Sequence, residues 1–359
     1  MKKVTLVVTS DLVTDQRVHK IATTLSKNNY HVTVIGNEKK NSLPLLKNEY
    51  YETLRFRCWF KRGKLFYIEF QLRLFFILLF FNRFDIVHAN DLDTLLPAFL
   101  ACKMKRKKII YDSHEYFTQT PELINRPITQ KIWLYLEKFL VPKLKNALTV
   151  NDILAEIYQK KYGVNFHSIY NVPFKLSTPL QEKKEKILIY QGALNLGRGI
   201  ELMIETMKLL PDWELWILGK GDIENQLKKL AENQRNIKFF GVIPHQELRN
   251  YTLQAKIGLS LEEDLGENYR VATPNKLFDY IQALVPVIVS DLPGLRFILE
   301  QHKVGFILKE RTANGLSHLI KSLENIEKYR FFQLNCQKAA KIYCWENQEK
   351  KLLNIYENL

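Results

Sequence analysis

Cysteine is scarce in this chain: there are four in 359 residues, Cys58, Cys102, Cys336 and Cys344, with no paired C-x-x-C spacing. That excludes a secreted disulfide scaffold and a thiolate zinc site, and we read the four as reduced thiols in a cytoplasm. Long uncharged apolar runs are absent as well, so no segment reads as a membrane-spanning helix, which needs about 20 apolar residues. The opening Lys2 and Lys3 followed by VTLVV have the look of a signal peptide. Polar Thr9, Ser10 and Asp11 end that apolar run too early, and a first strand is expected. Acid is what the first half lacks. Residues 1–170 carry 27 Lys and Arg against 15 Asp and Glu, a surplus of 12, whereas the rest carries 26 against 23, a surplus of 3. Such a field favours phosphate-rich surfaces. No zinc-finger, RNA-recognition or helix-turn-helix signature accompanies it, so the expected partner is an anionic lipid surface and not nucleic acid.

What is present is material for a generous core. Hydrophobic residues make up 46% and charged residues 25% of the chain, the balance of a folded soluble protein, and the length suggests two domains. In the first half KVTLVVTS, a helix from about Gln16 to Lys27, HVTVIG, a long middle region, DIVHAN, a helix, KIIYDS, a helix and ALTV alternate. In the second, KILIYQG, a helix from Ile200 to Leu210, WELWILG, a helix from Asn225 to Gln234, IKFFG, IGLSL, a further helix and VPVIVS do the same. Alternation of this kind predicts parallel sheets wrapped by helices: an α/β class with two doubly wound, Rossmann-like domains. FHSIYNVPFKLSTPLQEKKEKI, with its prolines and charge run, is the expected linker, with a boundary near Asn171. The expected domains are residues 1–170 and 171–340, followed by a closing helix over 341–359. Ligands of open parallel sheets bind beyond the carboxyl ends of the strands, so two such sheets facing each other predict a cleft lined by loops of both.

The stretch NYRVATPNKLFDYIQALVPVIVSD, Asn268 to Asp291, compresses a loop, a helix start, an amphipathic helix and a buried strand. Thr273 reads as the N-cap and Pro274 as the first helical position, since a Thr oxygen accepts a helix N–H and Pro lacks the N–H that would go unpaired. A helix starting near Asn275 presents N–H groups and a positive dipole end to an anion, and Lys276 adds a full charge in the first turn. One turn on, Asp279 is placed to accept two hydrogen bonds from vicinal hydroxyls such as those of a ribose. Together these read as a phosphate and ribose cradle. The segment P-N-K-L-F-D-Y, Pro274 to Tyr280, resembles the donor-binding signature of the family-four retaining glycosyltransferases of the GT-B fold, in the branch that carries P-N-K-x-F-E-Y in place of E-x7-E. The resemblance implies that Asp279 binds the ribose of a nucleotide sugar. The chain departs from the family at Val271, where the first Glu of the commoner pattern would stand, so that its contact with the donor sugar either comes from Asn268, Tyr269 or Glu267 or is absent. It departs again at Leu284, where the family usually has Gly.

Two further loops extend the resemblance. YQGALNLGRGIELMIETM has three glycines, Gly192, Gly197 and Gly199, where a strand turns into a helix, which permits close backbone approach to a ligand. It resembles the family's G-R-L-x-x-x-K-G motif. Arg198 falls on the Lys that binds the donor diphosphate, a role a guanidinium fills with a bidentate grip. Ala193 stands at the family's Arg, leaving Lys276 to supplement the charge. Gly219-Lys220-Gly221 resembles the family's next strand-end loop, a wall of the nucleotide pocket, although Lys220 reads almost equally as a solvated lysine. Gly241 and Val242, in FGVIPH, resemble the segment that lines the base. The acidic stretch LEEDLGE, Leu261 to Glu267, reads either as a contact for sugar hydroxyls or as a solvated loop. In the first half, YDSHEYF sets His114 just past a strand end, where family members often carry a His facing the donor sugar. Asp15 and Arg17, with His19, replace the Gly-rich turn of many relatives after the first strand and are expected to face the acceptor. Asp91-Leu92-Asp93 matches the D-x-D metal motif of the other major glycosyltransferase fold, but it follows a strand of the wrong architecture. No metal and no cofactor are expected.

Arg55 to Phe84, RFRCWFKRGKLFYIEFQLRLFFILLFFNRF, is dense in aromatics and arginine. It reads either as an interfacial segment, with Trp59 and several Phe inserted and basic residues on lipid phosphates, or as a hydrophobic helix packed under the first sheet. The last part, WENQEKKLLNIYENL, resembles the family's closing helix, which crosses back onto the first domain. The resemblance thus implies a retaining glycosyltransferase with an acceptor-binding first domain and a nucleotide-sugar-binding second domain. It would move a sugar from a nucleotide-diphosphate-sugar to a sugar or lipid-linked acceptor in bacterial cell-surface glycan synthesis, in the cytoplasm and peripheral at the inner face of the membrane. No covalent protein nucleophile is implied. Arg198, Lys276 and the helix end stabilise the leaving diphosphate, and His114 completes the expected catalytic set. Two other readings stay open: a sugar-nucleotide epimerase, which needs proton-transfer carboxylates that the sequence does not place, and a non-catalytic GT-B partner with nucleotide affinity, favoured by Val271 and Ala193.

Overall fold

A computed structural model describes residues 1–13, 15–39, 42, 44–45, 49–81, 83–177, 180 and 185–359. Glu182, Lys183 and Lys184, from the charge run of the expected linker, lie outside the described residues. The strands are β1 (Lys2–Val7), β2 (Tyr30–Glu38), β3 (Glu52–Arg57), β4 (Ile86–Asn90), β5 (Lys108–Ser113), β6 (Ala147–Thr149), β7 (Phe166–Ser168), β8 (Ile187–Gln191), β9 (Glu214–Leu218), β10 (Ile237–Gly241), β11 (Ile257–Ser260), β12 (Val287–Ser290) and β13 (Gly305–Leu308). In the first half the helices are α1 (Gln16–Lys27), α2 (Gly63–Phe76, continued by a π turn at Ile77–Phe81), α3 (Leu92–Lys105), α4 (Pro121–Ile124), α5 (Pro127–Leu140) and α6 (Asp152–Tyr162). There follow α7 (Ile200–Thr206), α8 (Glu224–Leu230), α9 (His245–Gln254), α10 (Glu267–Val271), α11 (Asn275–Gln282), α12 (Pro293–His302), α13 (Ala313–Ser322), α14 (Ile326–Ile342) and α15 (Trp345–Glu357).

Two sheets result, one of seven strands in the order β3-β2-β1-β4-β5-β6-β7 and one of six in the order β10-β9-β8-β11-β12-β13. Every pairing is parallel. Strands covered by helices on both faces have no solvent side, which is why β4, β8 and β12 are buried at every position and read as apolar runs without alternation. Both sheets follow one logic. From β1 the chain steps outward to β2 and β3, then crosses back to β4; from β8 it steps to β9 and β10, then crosses to β11. At each reversal the connections leave in opposite directions, which opens a crevice at the carboxyl ends of β1 and β4, and another at those of β8 and β11.

The chain divides into two compact units, residues 1–171 with 348–359, and residues 172–347. The final segment is built into the first of these. Tyr356 is fully buried and its hydroxyl lies 2.7 Å from Nδ1 of His88, while Gln348 Oε1 accepts the Tyr170 N–H at 3.0 Å.

Candidate active site

The carboxyl edge of the second sheet rests on glycines. Gly192, Gly219 and Gly241 stand at the ends of β8, β9 and β10 with φ of 144°, 136° and 69°. Gly192 N–H donates to the Leu218 carbonyl at 2.9 Å and Gly219 N–H to the Gly241 carbonyl at 2.7 Å, so the neighbouring loops share one backbone ladder. A Cβ on Gly219 would overlap the Gly192 carbonyl, and only glycine permits that approach. Gly197 begins the turn into α7, with Leu265 in the space a Cβ would take. Lys220 is exposed, as is Val242 at 66%.

Two cations reach this edge. α11 begins at Asn275 with Pro274 in the N-cap place, so Thr273 lies one residue ahead of the cap it was expected to provide. The fixed φ of proline suits the extended cap (φ −60°, ψ 140°), and its ring presses the preceding residue toward an extended conformation as well. Lys276 turns inward and is 7% exposed. Its Nζ lies 2.5 Å from Glu262 Oε1 and 4.7 Å from the centroid of the Tyr190 ring. Glu262 also accepts the Ser260 hydroxyl at 2.8 Å. Burial works against its charge, yet the Lys276 ammonium and these hydrogen bonds hold its carboxyl below the ordinary glutamate value. Arg198, half-buried in the glycine loop, stacks its guanidinium 5.3 Å from the Tyr269 ring centroid, and its Nε is buried without a partner among the described residues. Burial lowers the pKa of Lys276, Glu262 raises it, and the charge of Arg198 lowers it again, with a net downward shift. The two cations feel each other across this loop.

Asp279 is half-buried beside them. Its Oδ2 accepts Gln191 Nε2 at 2.8 Å; Gln191 Oε1 in turn accepts the Thr252 hydroxyl at 2.9 Å, and Gln191 N–H donates to the Tyr280 hydroxyl at 3.2 Å. This chain of bonds sets the orientation of the carboxylate. In the acidic stretch 261–267 each carboxylate has a cation, but only Glu262 is buried; Glu263, Asp264 and Glu267 keep 41–49% of their side-chain surface exposed and are solvated. Glu262 pairs with Lys276, Glu263 with Arg311 at 3.2 Å, and Asp264 and Glu267 with Arg270 at 2.9 and 2.7 Å. Of the residues expected to stand in for the first Glu, Glu267 pairs with Arg270 at the surface and Tyr269 stacks on Arg198. Sequence reasoning did not single out Gln191, Thr252 or Glu262 for the site; the position of Gln191 beside Gly192 at a strand end was the available signal.

In the first unit, Asp91 follows β4 with φ 61°. Its Oδ1 accepts the backbone N–H of His114 at 2.8 Å, and its Oδ2 lies 3.5 Å from His114 Nδ1. His114 Nε2 lies 3.0 Å from Asn90 Oδ1 and 3.5 Å from Asp112 Oδ2. Burial opposes a charge on His114, but Asp91 and Asp112 raise its pKa to about 9, which makes it an imidazolium at neutral pH. Asp15 caps α1, accepting the Val18 N–H at 3.2 Å. Arg17 departs from the expectation of an acceptor-facing side chain. It is 3% exposed, grips both oxygens of Asp112 at 2.8 and 2.7 Å and donates to the Ile169 carbonyl at 2.5 Å. A carboxylate as deeply buried as Asp112 needs a counter-charge, and the inner face of α1 supplies it. Asp93 accepts the Thr9 hydroxyl at 2.7 Å, and burial, with Asp91, pushes its pKa up to about 7. Among the described residues no group of three His, Cys, Asp or Glu is arranged to hold a metal.

Family models match both halves of the chain: one described as Glycosyltransferase Family 4 over residues 15–173, and one described as Glycosyl transferases group 1 over residues 174–341. The chain is 20% identical over 288 residues to a phosphatidyl-myo-inositol mannosyltransferase of Mycobacterium leprae, covering 77% of this chain and 74% of that protein. Among solved structures, sucrose-phosphate synthase from Thermosynechococcus elongatus matches with a TM-score of 0.75 at 15% identity, over 100% of this chain and 99% of the other. HepE of Anabaena, in complex with UDP and glucose, matches with a TM-score of 0.75 at 13% identity over 100% of both chains. At such identities the structural likeness speaks for the fold, and the two models, which together span residues 15–341, speak for the family. The chain belongs to glycosyltransferase family 4 and is a glycosyltransferase of the GT-B fold.

Proposed function

We propose that the protein transfers a sugar, with retention of anomeric configuration, from a nucleoside diphosphate sugar held by the second unit to a sugar or lipid-linked acceptor. The setting is the synthesis of a cell-surface glycan, with the protein peripheral on an anionic membrane. Asp279 carries this reading: a half-buried carboxylate, oriented by Gln191, on the same helix as Lys276. Two vicinal ribose hydroxyls match its acceptors, and a diphosphate matches Lys276, Arg198 and the N–H groups of the glycine loop. Gly192, Gly197, Gly219, Gly241 and Val242 form the backbone wall of this donor site, with Lys220 at its rim. HepE, a structural neighbour, has been solved in complex with UDP and with UDP-glucose, which supports a nucleotide sugar as donor. The name of the Mycobacterium leprae relative supports an acceptor carried on lipid.

As the bond from sugar to diphosphate breaks, negative charge grows on the leaving oxygen, and Arg198 and Lys276 stabilise it in the transition state. That oxygen accepts the proton of the attacking hydroxyl, with no side-chain nucleophile. His114, an imidazolium, serves as a hydrogen-bond donor to sugar hydroxyls and not as a base at neutral pH. The test is a thermal-shift panel of UDP, GDP and their sugar conjugates, followed by NMR of the product's anomeric centre. Stabilisation that Asp279→Ala removes, together with a retained configuration, is the expected result; no stabilisation by any nucleotide, or an inverted product, would end the proposal.

A further inference from the structure

α2 turns an apolar stripe outward. Leu65, Ile68, Leu72, Phe76 and Phe80 follow one another at helical spacing and are 50–67% exposed, while Phe70, Leu74 and Leu78 on the other side are fully buried. The segment is thus both a core helix and an exposed one. α5 repeats the pattern: Ile128, Ile132, Tyr135 and Phe139 are 50–70% exposed, and Trp133 and Leu140 face inward. Burying an apolar face is the usual reason a helix forms, so two outward stripes of large side chains need a partner. The crossovers from β3 to β4, β4 to β5 and β5 to β6 all step the same way across the sheet, which puts α2, α3 and α5 in one layer. Within it α2 and α5 both pack on α3, and Tyr67 of α2 meets Trp133 of α5 edge to face at 5.4 Å.

The charge around the stripes has one sign. Between Arg55 and Phe84 seven Arg and Lys accompany a single acid, Glu69. Glu69 is consumed locally, accepting the N–H groups of Trp59 and Phe60, both at 2.9 Å, and pairing with Arg73 at 2.7 Å. It thereby staples to α2 a loop whose Trp59 is 82% exposed. Between Pro127 and Lys145 four lysines accompany Glu137, which is buried and paired with Lys161 at 3.0 Å. A second copy of the chain would bring the same cations against themselves, whereas an anionic bilayer offers both an apolar interior and phosphates.

We infer that α2 and α5 together form a membrane-docking face, in which the two stripes enter the acyl boundary of an anionic bilayer and Lys61, Arg62, Lys64, Lys131 and Lys138 bind its phosphates. The inference rests on the peripheral location proposed above, names the surface responsible and makes α5 an equal half of it. The experiment is co-sedimentation of the full chain with phosphatidylglycerol-containing and with pure phosphatidylcholine vesicles, at low and high salt. Wild type pellets with the anionic vesicles alone and is released by salt. Each basic residue contributes roughly fivefold in partitioning, so Lys61→Glu/Arg62→Glu/Lys64→Glu binds at least about a hundredfold more weakly. Ile132→Ser/Tyr135→Ser on α5 loses binding as Leu72→Ser/Phe76→Ser on α2 does, and all three variants keep wild-type nucleotide affinity by calorimetry. If wild type stays in the supernatant with anionic vesicles at low salt, the location and the surface both fail. If wild type binds and the α5 pair binds equally well, the two-helix face alone is overturned. A dimer seen by light scattering that the α2 and α5 pairs both dissolve, with vesicle binding unchanged, would assign the face to a second copy and overturn the inference.

Discussion

A buried ion pair holds only as a pair. With Lys276 and Glu262 both under 10% exposed, Glu262→Gln leaves an ammonium in a low-dielectric site without its counter-charge, at a cost of about 3–5 kcal/mol by chemical denaturation. A bound diphosphate would replace that counter-charge, so UDP or GDP should stabilise this variant more than wild type; an equal or smaller thermal shift would show that Lys276 does not meet the phosphates. Arg198→Ala is expected to lower turnover about 100- to 1000-fold with a smaller effect on KM, since its charge meets the most negative charge in the transition state, and initial rates check it. Asp279→Ala should weaken nucleotide binding by about 1–3 kcal/mol in calorimetry. His114 gives a pH signature. Its pKa rises from the ordinary 6.5 to about 9 on folding, so its contribution to stability is complete below pH 6.5 and fades as pH rises through 9. Melting temperatures of wild type should fall across that window more steeply than those of His114→Gln. Arg198, Lys276, His114 and Asp279 were visible as candidates because each sits in a short motif. Their supports were not, because the partners are distant in sequence: Asp279 and Gln191 are 88 positions apart, and Arg17 and Asp112 are 95 apart.

Elements were readable where burial is two-sided. Runs such as ILIYQ and VIVS announce central parallel strands, and the alternation of strand and helix fixes the class. Edges carry weaker signals. β7 is three residues long and lies in the stretch read as linker, and β3 sits in a long region without clear period. α2 was ambiguous for a physical reason: apolar on both its inner and outer faces, it has no polar side to announce which one is buried. Leu284 shows one departure being offset locally. It holds a left-handed φ of 55° where the resemblance implies Gly, at a cost of about 1–2 kcal/mol, but its side chain is 3% exposed and that burial contributes about 1.5–3 kcal/mol. The glycine ladder has no such latitude. Gly219→Ala forces its Cβ against the Gly192 carbonyl in a φ of 136°. It should lower both stability and nucleotide affinity, whereas Gly163→Ala, whose Cβ would meet nothing within 4 Å, should lower stability alone. Paired thermal denaturation and calorimetry separate the two.

Over the whole molecule, charge and chain path were legible to different depths. The uneven basic surplus is visible in composition, but only exposure shows that it rims two apolar stripes. The closing helix was legible through its resemblance, whereas its anchoring residues were not. Leu352 and Tyr356 are fully buried, Ile355 is 8% exposed, and Tyr356 meets the Tyr30 ring edge to face at 5.6 Å while holding His88 through its hydroxyl. At about 1.5–3 kcal/mol for each large side chain, deleting Gln348–Leu359 removes on the order of 5–9 kcal/mol from the first unit, comparable to the whole stability of a typical domain, about 5–15 kcal/mol. Nothing in that segment belongs to the second unit. Limited proteolysis of the truncated chain followed by mass spectrometry should therefore cut throughout residues 1–171 while a fragment near residues 172–347 persists and is still protected by nucleotide. Equal digestion of both units, or a truncated first unit as resistant as wild type, would show that the final helix does not hold the first unit together.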